Sequence, residues 1–462
     1  MKKILLAKLV LFCLVAVSTG AWSQGWAGLG ISPNDGASNG TVKAVAVWNG
    51  NVYIAGAFTT VGGSVSASNI AKWDGTTSAW SALGSGITGT SAEVKALCVY
   101  NNVLYAAGHF TTAGGVTASN IAKWDGSTWS ALGATQGTGN DVYALIVFNN
   151  LLYAGGSFLT AGGVSAHYVA SWNGSAWSGS GTGTSAPVYC FTIHGSFPVL
   201  YTGENGGLTL ECLVGVSWNQ VIAGFGGAGQ NVQSLASFGT YIYLSGNFTF
   251  GPDKDLMRWD PQSSSVANVG NSTPLLINPG STVTYANTMK VFNNALWVGG
   301  NFTDAGAVAN TSHLAKWNGT SWSSAYVSPS ALDNNVYAID TGITGSVPYI
   351  FVGGLFTAPF HRVMKGVTTV GVTEIAVLEG MVSVYPNPSH GTIIIFVNRE
   401  IKDPVVEIYM IEGRKVYTEA IKSDFESAIS KELAPGIYFV KVSSGTDVNN
   451  RFKVFTQKIV ID

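Results

Sequence analysis

Charge and cysteine are both scarce in this chain of 462 residues, and each scarcity removes a class of function. Charged residues make up 10% of the sequence and the formal net charge is −2. No basic surface is available to neutralise phosphates, so nucleic-acid binding has no electrostatic support. Of the four cysteines, Cys13 lies in the first 24 residues, leaving Cys98, Cys190 and Cys212 for the rest of the chain. Three cysteines cannot frame so long a chain, and stability must come from burial. Metal-ligand spacing is missing as well: there is no His-Glu-x-x-His or paired-Cys motif, and His109, His167, His194, His313 and His361 stand apart from one another. The sequence therefore implies no metal, no cofactor and no readable catalytic constellation.

A single sustained apolar run is present. It covers residues 4–17, follows Lys2 and Lys3, and gives way to small residues before Gln24. Lys8 interrupts it, and a membrane span needs about 18 unbroken apolar residues. Residues 1–24 therefore read as a secretory signal, which leaves no transmembrane anchor in the mature chain.

What the chain has in abundance is repetition. Residues 42–84 and 94–133 can be laid over each other almost without gaps, and further copies begin near Val142, Val188, Val232, Ala286 and Val336. The starts lie 44 to 54 residues apart, the range of a four-stranded propeller blade. Each unit opens on an apolar strand that closes with Asn49-Gly50, Asn101-Asn102, Asn149-Asn150 or Asn293-Asn294, pairs suited to two-residue hairpins. A second strand ends in small residues, with glycine pairs at Gly155-Gly156, Gly299-Gly300 and Gly353-Gly354 that suggest close backbone approach. A third ends at Trp73, Trp124, Trp172, Trp259 or Trp317, mostly before Asp-Gly or Asn-Gly, and a fourth carries Trp80, Trp129, Trp177 or Trp322. Tryptophans that recur at one position in unit after unit mark core packing rather than sugar stacking.

This order of aliphatic strand, tyrosine strand with paired glycines, aromatic before a turn and final tryptophan resembles the kelch group of β-propellers. The resemblance covers residues 26–366. It departs from kelch in using Trp with Asp-Gly or Asn-Gly in place of Tyr-Asp-Pro, although Trp259-Asp260-Pro261 approaches that form. It implies an all-β, seven-bladed propeller over residues 25–372. The seventh unit shows no fourth strand after Phe356, whereas residues 25–30 repeat the fourth-strand text of residues 129–133, so the N-terminus is expected to complete the last blade. Meander geometry puts the tight turns on one face and the long connectors, residues 59–68, 111–119, 160–166 and 304–312, on the other, where recognition usually sits.

Composition changes near Thr373. Residues 25–372 hold 10 Lys or Arg and 13 Asp or Glu, whereas the 90 residues 373–462 hold 10 and 12. This last segment carries Tyr385, Pro386, Asn387 and Pro388 with Gly391, then Gly413 and Arg414, then Gly436, Tyr438 and Lys441. These motifs, in this order, resemble the type A sorting domain that Bacteroidetes use with the type IX secretion system. The resemblance implies a small antiparallel β-sandwich at 373–462, the secretion machinery as partner, and a secreted or outer-membrane surface location reached through the periplasm.

Within the propeller the fourth unit breaks the pattern, and His194, Glu204 and Glu211 are its weak site candidates. Cys190 and Cys212 share that unit, and in an oxidising compartment they are expected to form a disulfide, leaving Cys98 buried on its strand. The function expected is a binding or adhesion module for an unknown protein or glycan ligand; the alternative is a glycan-active hydrolase or lyase on the same scaffold.

Overall fold

A small apolar residue, valine in six units and Ala286 in the other, stands at the start of each first strand and fixes where successive repeats meet. The computed structural model describes residues 26–29, 38–133, 135–195, 198–205, 208–225, 230–250, 253–269, 276–277, 285–326, 331–344 and 347–366, and then 382–385, 391–397, 405–410, 415–420, 427–443 and 454–461. The expected signal, residues 1–24, lies outside them. All regular structure among the described residues is β-strand. The chain divides into two compact units, residues 1–368 and 369–462.

The first unit contains seven four-stranded antiparallel sheets among its described residues. Their first strands are Thr41–Trp48, Glu93–Tyr100, Val142–Phe148, Val188–His194, Asn231–Phe238, Tyr285–Phe292 and Val336–Thr344, and the sheets are numbered in that order. Each first strand packs on the next, and Val336–Thr344 packs on Thr41–Trp48, so the circle closes as a β-propeller. Sheets with both faces covered in this way need apolar residues on every strand, which the buried Val42, Val94, Val142, Val188, Val232 and Val336 supply at one register position.

Local chemistry explains the turns. Asn101, Asn102, Asn149, Asn150, Asn293 and Asn294 all adopt positive φ between 46° and 59°, as tight hairpins require. The carboxylate of Asp125 accepts the backbone N–H groups of Ser127 at 2.7 Å and Thr128 at 2.8 Å, folding the outer hairpin.

The glycine pairs do two jobs. A Cβ on the first member, Gly155, Gly299 or Gly353, would strike side chains of the next sheet, such as Val188, Val336 and Val42. A Cβ on Gly56, Gly108, Gly156, Gly246, Gly300 or Gly354 would run into the carbonyl oxygen of the residue that precedes the first-strand Val or Ala. Backbone therefore approaches backbone too closely for any side chain.

Closure runs through the N-terminus as expected. Trp26–Gly28 pairs with Val363–Gly366, with Trp26 opposite Gly366, and becomes the fourth strand of the seventh sheet. The indole N–H of Trp26 donates to the Ala325 carbonyl at 2.9 Å, just as Trp80 donates to Leu29 at 3.0 Å and Trp129 to Leu83 at 2.9 Å. The first, second and third sheets are thus each tied to the one before, by Trp80, Trp129 and Trp177, and Trp26 supplies the same tie for the seventh.

The connectors are more ordered than their composition suggests. Thr60–Val61 pairs with Val65–Ser66, Thr112–Ala113 with Val116–Thr117, and Thr160–Ala161 with Val164–Ser165, while Val61, Ala113 and Ala161 are buried. Gly62, Gly114 and Gly162 lie against the rings of Trp80, Trp129 and Trp177. The connectors are rigid ribbons anchored on the fourth strands.

The second unit holds a three-stranded sheet, Val382–Tyr385, Thr392–Val397 and Ser427–Glu432, and a four-stranded one ordered Lys415–Ala420, Val405–Met410, Gly436–Ser443, Val454–Ile461. Val384, Ile393 and Ile395 from the first pack with Val406, Ile408, Tyr438, Val440 and Val442 from the second. This is a small antiparallel sandwich.

Candidate functional site

A β-bulge recurs at the same place in all seven first strands. Pairing with the second strand runs from Val42 to Ala44 without Lys43, and the same single residue is skipped at Lys95, Tyr143, Tyr189, Gln233, Asn287 and Tyr337. A bulge re-aims the side chain of its extra residue. Here all seven half-buried residues line one central cavity of about 250 Å³ enclosed by the first strands.

Electrostatics divide this ring. Lys43 pairs with Glu93 of the second sheet at 2.7 Å, and Lys95 pairs with Asp141 of the third at 2.7 Å, with His109 also on Asp141 at 2.6 Å. Lys95 lies 4.6 Å from the centre of the Tyr143 ring, which stacks on Tyr189 at 4.8 Å with 6° between the planes. Further along the first strands, Lys290 holds Asp340 at 2.7 Å. Burial, and then the Asp340 carboxylate, push the Cys98 thiol up to about 12, so it stays an unreactive thiol.

Two open pockets lie outward from the ring on the connector face, at repeat-equivalent places. One, of about 550 Å³, is lined by Phe110, Thr111, Ser119, Asn120, Thr138 and Gly139 among others. The other, of about 470 Å³, is lined by the matching Phe58, Thr59, Ser68 and Asn69, together with Thr88 and Gly89. Their walls are fixed by asparagines at positive φ: the Asn69 side chain accepts the Phe58 N–H at 3.1 Å and donates to the Ile87 carbonyl at 2.9 Å, and Asn120 does the same between Phe110 and Thr138. What remains for a ligand is mostly hydroxyl and backbone polarity.

The weak candidates of the fourth sheet separate into two places. Glu204 and Glu211 come together, fully buried and 5% exposed respectively, and both contact Ser185. His194 does not join them. It pairs with Val199 at one end of the first hairpin while Glu204 faces Val188 at the other, roughly 17 Å away at 3.3 Å per residue. Its ring bonds Ser237 at 2.8 Å, and burial lowers its pKa.

The disulfide expected between Cys190 and Cys212 is not formed; all three cysteines are free. Cys190 pairs with Gly203, and Cys212 pairs with Tyr201 on the opposite edge of the same second strand. Two ladder spacings, about 9.6 Å, exceed the roughly 7 Å that a disulfide spans between Cα atoms. Peptide mapping without reductant should recover three free thiols; a Cys190–Cys212 peptide would show that the sheet pairs differently.

In the second unit, Tyr438 is buried and donates its hydroxyl to the Ala434 carbonyl at 3.0 Å, Lys441 pairs with Glu407 at 3.2 Å, and Gly391 accepts the Leu433 N–H at 2.8 Å with φ of 109°. Tyr385 pairs with Ile394, and Gly436 with Ile461. Pro386, Asn387, Pro388, Gly413 and Arg414 lie outside the described residues.

Residues 383–462 match the family described as the secretion system C-terminal sorting domain. That assigns the second unit. The sorting domain marks the protein for export through the type IX secretion system, to the cell surface or beyond it. No curated protein matches the chain. Among solved structures it is similar to a chain of the mitotic checkpoint complex, at 12% identity over 78% of this chain and 98% of that one, with a TM-score of 0.46. It is also similar to the GH74 enzyme of Niastella koreensis, at 13% identity over 90% of this chain and 73% of that one, with a TM-score of 0.42. Neither likeness bears on chemistry, and the architecture rests on the strand pairing itself.

Sequence reasoning missed the ring. Its signal was present: Lys, Tyr, Gln or Asn follows the buried Val or Ala that opens each first strand, and a polar residue at one fixed position of a buried strand asks for a special backbone.

Proposed function

We propose that the first unit is a ligand-binding or adhesion module that the sorting domain delivers outside the cell. The observation that carries this reading is the contrast between accessible and buried polarity on the connector face. Two equivalent pockets offer hydroxyls and amides to solvent, whereas Glu204 and Glu211 are sealed in the fourth sheet. A glycan hydrolase needs carboxylates in reach of its sugar. Near the ring, Glu93, Asp141 and Asp340 are each held by a lysine.

The test is capture of ligands from an array of purified polysaccharides and extracellular proteins by the whole mature chain. Thr59 and Thr111 are exposed at the pocket mouths, so Thr59→Arg with Thr111→Arg is expected to weaken capture at least about tenfold, or 1.4 kcal/mol. The melting temperature should hold, because neither side chain is in the core. Glu204→Gln with Glu211→Gln should leave capture intact at neutral pH. Turnover of a polysaccharide that the double amide abolishes would replace this reading with the glycan-active enzyme.

A further inference from the structure

The fourth sheet departs from the other six at the register position where they carry glycine. Glu204 stands there, opposite Val188. Beside it, Glu211 and its cross-strand partner Thr202 occupy places that are apolar elsewhere, as in Ala71 with Ile54 and Ala122 with Ala106. Thr202, Glu204 and Glu211 are all buried.

Both carboxylates converge on Ser185, an exposed residue of the connector that leads into the fourth sheet. Its hydroxyl donates to Glu204 Oε2 at 3.0 Å and its backbone N–H donates to Glu211 Oε1 at 3.2 Å, while Thr202 Oγ1 donates to Glu204 Oε1 at 3.0 Å. Ser185 takes the place that Gly139 and Thr88 hold in the two pockets: the N–H of the preceding Thr184 donates to the His167 carbonyl as those of Thr138 and Ile87 donate to Ser119 and Ser68, and Thr184 bonds the Ala186 carbonyl at 3.0 Å as Thr138 bonds that of Asn140 at 2.8 Å.

Among the described residues, no lysine or arginine stands on the strands or the connector that hold the pair. Val188–His194 carries Tyr189, Cys190 and the distant His194; Val199–Glu204 carries Tyr201; Leu208–Val214 carries Cys212; Ser217–Phe225, Asn231–Phe238 and the 180–187 connector carry no titratable group. His167 meets the connector at the Thr182 carbonyl, at 3.1 Å. Among the described residues neither carboxylate has an ion-pair partner. Two unpaired negative charges buried side by side are untenable, and a single proton removes the conflict.

We propose that Glu204 and Glu211 hold one proton between them and latch the 180–187 connector to the fourth sheet, closing while the proton is bound and releasing as pH rises. Burial, and then the neighbouring Glu211, raise the Glu204 pKa from 4.5 to about 8. The closed state thus keeps a proton that the free acid gives up, so closure is favoured fully below about 4.5 and weakens as pH rises through about 8. The latch sits at the third equivalent of the two pockets, and it stands whether or not those pockets bind a ligand.

Hydrogen exchange of the full mature chain tests this without any ligand. After correction for intrinsic base catalysis, opening of the Ser185 amide should increase roughly tenfold per pH unit between pH 6 and 8 in the wild type, one proton being released per opening. Glu204→Gln should make it independent of pH. Glu204→Ala is the substitute if that variant does not fold; Glu211→Gln, which removes only the lesser cause of the Glu204 shift, should weaken the pH dependence without abolishing it. The infrared carbonyl band of a protonated carboxyl should also persist in the wild type at pH 6 and vanish by pH 10. Equal pH dependence in wild type and variant, or no such band at pH 6, overturns the latch.

Discussion

A chain ended at Thr368 should lose surface and extracellular delivery altogether while keeping a folded first unit. The sorting domain buries its own core, from Val384 to Ile461, and none of those residues belongs to the propeller clusters. Cutting at the unit boundary removes one hydrophobic core without opening another. The truncated protein should therefore be found within the cell envelope, resistant to protease added outside intact cells and as stable as the parent when purified. Lys441→Ala refines the test. Lys441 is partly exposed and Glu407 keeps Lys415 as a second partner at 2.7 Å, so loss of this pair costs on the order of 1 kcal/mol; the variant stays folded, and any export defect reports recognition of the motif rather than unfolding. Truncated protein that reaches the surface at the parental level would show that the address lies elsewhere in the chain.

How much of this could be read beforehand depends on whether the physics is local. The hairpins at Asn101-Asn102 and Asn149-Asn150 were legible because positive φ at two successive residues has a short roster of solutions. The fourth-strand text at residues 25–30 was legible because Trp26 repeats the role of Trp129, down to the carbonyl its indole reaches. The bulged ring was not, since Lys43 and Tyr143 differ in every property except register, and register is a property of two strands. Pairing Cys190 with Cys212 failed for the same reason: sharing a repeat brought them near in sequence and left a strand between them. The connectors were legible as lying on one face, but not their paired strands, which buried residues such as Val61 with Ala67 and Ala113 with Ala118 fix. Glu204 and Glu211 were legible as an oddity, but not their shared serine, which arrives from another connector.

Deleting residues 25–30 should destabilise the first unit more than any loop change. Trp26 is 8% exposed, packs edge-on against Trp297 at 6.1 Å and ties the seventh sheet to the sixth; Leu29 is 1% exposed, and its carbonyl receives Trp80 of the first sheet. The segment therefore bridges both joints of the last sheet. Removing a buried tryptophan alone costs about 3–5 kcal/mol, and the deletion also unpairs Val363–Gly366 along its whole outer edge. At about 2–4 °C per kcal/mol for a domain somewhat smaller than this one, a fall in melting temperature of roughly 5–10 °C is expected. Trp26→Ala should give much of it, and Trp26→Phe, which keeps an aromatic ring but not the indole donor, less. Hydrogen exchange should place the loss in the seventh sheet, at Val363–Gly366 and Val347–Gly354, before any other sheet opens. A deletion that melts with the parent, or one whose exchange rises evenly around the circle, would mean that the seventh sheet is stable with three strands and that the N-terminal strand is an ornament to a closure made elsewhere.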